Sequence, residues 1–152
     1  MAVTVQGMRI LLIPVIVALS ACASTPKSAD IPMAKTNSLS ARTLSPGECG
    51  LFVWTADIEK RFMLFSQSQE NRGVWHSPDG ETPIVITAKS GTPTDGQYPK
   101  QSFGDAGLTL ALKGAEAITQ GTRYKAGTLS QISPEGWNKV TPVVSLSMCQ
   151  TA

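Results

Sequence analysis

Few residues in this 152-residue chain are equipped for chemistry. Histidine occurs once, as His76. A hydroxyl, an imidazole and an acid can form a nucleophilic relay, but such partners meet in space rather than in sequence. The acids to set beside His76 are therefore Asp57, Glu59, Glu70 and Glu81. All four sit near turn-forming residues, where solvated charge is their ordinary role. The chain has no Gly-x-Ser-x-Gly elbow and no paired-cysteine metal spacing, the arrangements that would expose a serine nucleophile or hold zinc. The expectation is a non-enzymatic chain with no cofactor and no metal; the alternative is a small hydrolase-like enzyme using His76. Its remaining reactive groups are the thiols Cys22, Cys49 and Cys149.

Cys22 closes a distinctive stretch. Arg9 supplies a positive charge, Ile10 to Leu19 an apolar run, and small residues follow, which is the layout of an export signal. The run is well short of the roughly 20 apolar residues that span a bilayer. Leu19-Ser20-Ala21-Cys22 resembles the lipobox of bacterial lipoproteins. The resemblance implies that residues 1–21 are removed as a lipoprotein signal peptide and that Cys22 carries a diacylglyceryl thioether and an N-acyl chain such as palmitate. Two or more chains anchor stably where one holds marginally. Ala23 stands where inner-membrane retention signals place Asp, so the resemblance favours the outer membrane with the domain facing the periplasm. Inner-membrane anchoring is the alternative. A further one is cleavage after Ala21-Cys22-Ala23, which would release a secreted protein. Met8 is an alternative start to Met1.

With Cys22 assigned to lipid, Cys49 and Cys149 remain as the intrachain pair of an exported, oxidising context. A bond between them closes nearly the whole domain into one loop, worth about 4.7 kcal/mol in the chain-entropy model. It also brings the two ends of the domain within bonding distance.

A third constellation is Gly121-Thr122-Arg123-Tyr124, followed by Trp137-Asn138-Lys139 and Cys149. It resembles the membrane-bound inhibitors of c-type lysozyme, small disulfide-containing β-barrel lipoproteins with a Gly-Ala-Arg-Tyr signature and a Trp near Lys-Gly. The chain departs from that pattern in having Ile118 and Gln120 ahead of the glycine and Val140 after the lysine. The resemblance implies a barrel and an inhibitor site. Arg123, Tyr124, Trp137 and Lys139 are the candidate binding residues, since Arg, Tyr and Trp combine contact area with directional donors at interfaces. Exposure of Trp137 on a rim shared with Arg123 and Tyr124 would favour a binding module; its burial would favour a scaffold.

Composition bounds what can position these groups. Cleavage before Cys22 leaves about 130 residues, enough for one domain with a single core. The whole chain carries 13 Lys plus Arg against 11 Asp plus Glu, with no basic cluster, which argues against nucleic acid as a partner. The expected partners are the membrane, through the lipid, and a protein of the envelope. Residues 22–46 are rich in Ser, Thr, Ala, Pro and Lys and read as a flexible tether. Residues 47–152 form the domain.

Within the domain, apolar residues recur with a period of two, the strand signature. Leu51–Thr55 and Arg61–Ser66 predict a hairpin, Gly73–His76 a third strand ended by the turn Ser77-Pro78-Asp79-Gly80, and Thr82–Ala88 a fourth. The segment 89–107 is broken by glycines and prolines and predicts little regular structure, with Tyr98 and Phe103 either plugging one end of the core or contacting a ligand. Leu108, Leu110 and Leu112 alternate cleanly until Gly114. Glu116–Gln120, Arg123–Ile132, Trp137–Thr141 and Val143–Cys149 complete the pattern. About eight short strands without a helix predict an all-β domain: a small antiparallel barrel, or a closed sandwich, with one disulfide joining its ends.

Overall fold

The computed structural model describes residues 37–151. Cys22, the lipobox and the tether residues 22–36 lie outside them. The fold is all-β, as the alternation predicts. Its strands are β1 (Cys49–Thr55), β2 (Phe62–Gln67), β3 (Arg72–Ser77), β4 (Gly80–Val85), β5 (Ala88–Ser90), β6 (Lys100–Phe103), β7 (Leu108–Ile118), β8 (Gly121–Ile132) and β9 (Asn138–Cys149), with one 3-10 turn at Gly104–Ala106.

These strands form one antiparallel sheet in the order β4-β3-β2-β1-β9-β8-β7-β6-β5. The first and last strands are neighbours at its centre, and Cys49 pairs with Cys149 both in register and through a disulfide. The outermost strands, β4 and β5, are consecutive in the chain. Between them the Ile86 N–H donates to Asn71 O, continuing the β3 pairing, and the Thr87 N–H donates to Ser102 O, beginning the β6 pairing. The run Gly80–Ser90 therefore passes from one margin of the curled sheet to the other, and neither margin is left as a long free edge.

The concave side holds the core: Leu51, Val53, Leu64, Trp75, Ile84, Ile86, Phe103, Leu108, Leu110, Leu112, Tyr124, Leu129 and Val143. The long strands keep this face only by breaking step. In β8, Thr122 and Tyr124 point inward, and so does Leu129. The change from even to odd occurs at a bulge between Tyr124 and Gly127, where one extra residue turns the strand by one side-chain position. Opposite it in β7, Gly114 takes φ 68° and the strand continues beyond it to Ile118. Glu116–Gln120 is thus not a separate short strand: its first three residues extend β7.

Two further expectations change. Trp137–Thr141 and Val143–Cys149 are not two strands: all but Trp137 belong to one, β9, which runs through Pro142. Proline is tolerated there because its carbonyl accepts from Ala56 beyond the end of β1, so the missing N–H faces the side where strand pairing has stopped. The segment 89–107 contains the last two residues of β5 and all of β6, bringing the total among the described residues to nine strands. The inward residues of β6 are Gln101 and Phe103, and a buried glutamine hides the alternation that would mark a strand.

Candidate functional site

The interior is apolar at one end and polar at the other. Near the disulfide, Ser66, Ser68, Gln97, Gln101, Thr122, Ser145 and Ser147 are buried. The segment 91–99 folds over this end and satisfies much of it. Ser66 Oγ donates to Gln101 Oε1 at 2.8 Å, and Gln101 Nε2 donates to Ser68 Oγ and to Tyr98 O at 3.2 and 2.9 Å. The Ser68 N–H donates to Gln97 Oε1 at 2.9 Å, and Ser147 Oγ to Thr94 O at 3.1 Å. Lys89 Nζ lies 5.5 Å from the Tyr98 ring centroid and donates to Ser68 O at 2.9 Å. Phe103 of the same segment lies in the core, and Tyr98 is half-buried over the polar end.

The four candidate binding residues are not brought together. Tyr124 is 2% exposed and belongs to the core. Its hydroxyl lacks a partner, as does Ser145 Oγ on the adjacent strand. Arg123 points outward and pairs with Glu116; this guanidinium, with Lys125, holds the Glu116 carboxyl below its ordinary value. Lys139 pairs in register with Gln131, at the far end of β8 from Arg123, a separation on the order of 25 Å along the strand. Trp137 lies beyond it in the β8–β9 turn, 77% exposed. Arg123 and Trp137 thus occupy opposite ends of the sheet.

His76 lines the mouth at the apolar end, with Arg61, Ser77, Gln131, Lys139 and Thr141. Its Nδ1 is buried and accepts no hydrogen bond, and Glu81 is its register partner on β4. Among the described residues no three of His, Cys, Asp and Glu cluster as metal ligands would.

The feature with the most chemistry is on the convex face. Alternation that sends Leu51 and Val53 inward sends Phe52 and Trp54 outward, where they meet Phe62, Phe65, Val74 and Met148 in a second apolar cluster. Phe52 and Phe65 ring centroids are 5.0 Å apart, and those of Trp54 and Phe62 are 5.4 Å apart. In β9 the inward residues are Val143, Ser145 and Ser147, and Leu146 and Met148 face outward to join the cluster's border.

Part of this face is covered by the chain itself. The stretch 37–46, assigned by composition to the tether, lies against the sheet as a strap. The Leu39 N–H donates to Phe62 O at 2.8 Å, and the Phe62 N–H donates to Ser38 Oγ at 3.0 Å. Leu39 is buried, and Leu44 packs on the same cluster. The Ser40 N–H donates to Glu81 Oε1 at 2.6 Å, and Arg42 pairs with Glu81. The hydrogen bond from Ser40 is the main cause holding the Glu81 carboxyl below its ordinary value, with Arg42 adding to it.

Between the strap and β9 a groove of about 530 Å³ stays open, lined by Leu39, Phe52, Trp54, Phe62, Leu146 and Met148, with Arg42 and Lys60 on its border. Sequence reasoning missed this site. Its signal was present as apolar residues on both faces of 51–55 and 61–66, which also describes a strand covered on both sides. Compared with protein-family models, curated proteins and solved structures, the chain matches none.

Proposed function

We propose that the protein is a lipid-anchored lipoprotein of the bacterial envelope whose β-domain, residues 47–152 with the strap laid on it, is a non-enzymatic binding or support module on the periplasmic side of the outer membrane. Residues 1–21 are the signal peptide and Cys22 the acylated residue. The observation that carries this reading is the Cys49–Cys149 disulfide: structural disulfides persist in exported proteins and are rare in reducing compartments. It also accounts for both cysteines of the domain, leaving Cys22 as the thiol at the end of a lipobox-like signal.

The test is metabolic labelling with palmitate combined with membrane fractionation. Wild-type chain takes up label and sediments with membranes, while Cys22→Ala takes up none. Equal labelling of the variant would overturn the anchor. The resemblance to lysozyme inhibitors gains no support from the separated positions of Arg123 and Trp137 or the burial of Tyr124, so inhibition is not proposed as the activity.

A further inference from the structure

We infer that the groove between the strap and β9 holds one hydrocarbon chain of an anionic phospholipid drawn from the bilayer, with its headgroup at Lys60. Three observations converge on that occupant.

The first is what the groove has left to offer. Its floor is the face of β1 and β9, central strands whose backbone groups are already paired on both sides. No extended peptide can add to them as a strand. The gain available is burial of apolar surface, which is non-directional and suits a hydrocarbon chain. Phe52, Trp54, Leu146 and Met148 form that floor, Leu39 and Phe62 the wall, and the volume of about 530 Å³ falls in the range of small-molecule sites.

The second is the charge on its border. Arg42 is engaged by Glu81, which also accepts from Ser40. Asp57 accepts from Thr55 Oγ1, the Lys60 N–H and Arg61. Across β9, Arg123 stands opposite Leu146 with Glu116 shared between it and Lys125. Lys60 Nζ donates to the Ala56 carbonyl at 3.2 Å and forms no ion pair among the described residues. The ammonium is the border charge left for an anionic headgroup.

The third is where the chain leads. Ser38 and Leu39 line the groove and Asn37, the first described residue, lies next to them at the mouth beside His76, so the described chain begins close to the groove. This inference rests on the lipid-anchor reading: the stretch of about 15 residues from Cys22 reaches no more than about 50 Å. That holds the groove near the bilayer at a high effective lipid concentration.

Native mass spectrometry of the full chain, released from membranes in mild detergent and titrated with phosphatidylglycerol or phosphatidylcholine, tests this. The expected result is one non-covalent phospholipid per chain, with phosphatidylglycerol retained over phosphatidylcholine. Leu146→Glu places a carboxylate in the groove floor and lowers occupancy tenfold or more. Lys60→Glu, in an exposed turn outside the core, removes the preference for phosphatidylglycerol and decides the matter if Leu146→Glu fails to fold. Absence of the adduct from wild type, an unchanged adduct in folded Leu146→Glu, or an unchanged preference in Lys60→Glu would each overturn the proposal. The same spectra report covalent acylation of Cys22. An acylated chain without non-covalent lipid refutes the groove alone, and an unacylated chain that retains the lipid refutes the anchor alone.

Discussion

Ser40 and Glu81 are joined by a backbone N–H to carboxylate hydrogen bond of 2.6 Å that pins the strap to the start of β4. The bond forms to the ionised carboxylate, so it depresses the Glu81 pKa below the ordinary value of 4.5. A group with a depressed folded pKa contributes stability that is present above its unfolded pKa and lost as pH falls through the folded one. The Ser40 amide resonance should therefore hold its position from neutral pH down past 4.5 and shift only below it. Glu81→Gln should abolish the titration. A midpoint at or above the ordinary glutamate value would contradict this account.

Reduction of Cys49–Cys149 releases the cross-link at the centre of the sheet, where β1 meets β9. The double variant Cys49→Ala/Cys149→Ala should lose about 2–5 kcal/mol, the range for removing a native disulfide from a small exported domain. Thermal melts with and without reductant measure it, and coincident melts would show that the pair adds nothing.

Gly121 begins β8 with φ 149°, and a Cβ there would collide with the Ser147 carbonyl oxygen. Neither the backbone angle nor the space admits a side chain. Gly121→Ala should destabilise the fold by about 3 kcal/mol or more, as backbone strain and a steric clash act together. Denaturant titration gives the value, and a loss below about 1 kcal/mol would mean that β8 and β9 separate there at little cost.

Tyr124 and Trp137 give opposite tests of the binding reading. The Tyr124 hydroxyl is buried without a partner, so Tyr124→Phe removes an unsatisfied group and should leave stability unchanged or raise it by up to about 1 kcal/mol. Trp137 is exposed in a turn, and Trp137→Ala should stay within about 0.5 kcal/mol of wild type. Chemical denaturation of both variants checks the pair.

The clean alternation at Leu108, Leu110 and Leu112 was enough to place β7, and the spacing of apolar runs between turn residues was enough for the hairpins β1–β2 and β3–β4. Periodicity failed where the chain changes step. Around Gly114 and the bulge after Tyr124, inward positions switch from even to odd, so a single period no longer describes β7 or β8. It failed again at β6, where buried Gln101 is satisfied by Ser66, Ser68 and Tyr98, none adjacent to it in sequence.

By itself the sequence determined the all-β class, most of the strands and turns, and the groups available for covalent chemistry, because these follow from local side-chain alternation and residue type. Only the tertiary structure decided that Arg123 and Trp137 lie at opposite ends of the sheet, that 37–46 straps the convex face, and that the outward residues of β1 and β9 form an apolar groove beside Lys60. Those relationships depend on strand order and register, which are set by packing between segments far apart in the chain.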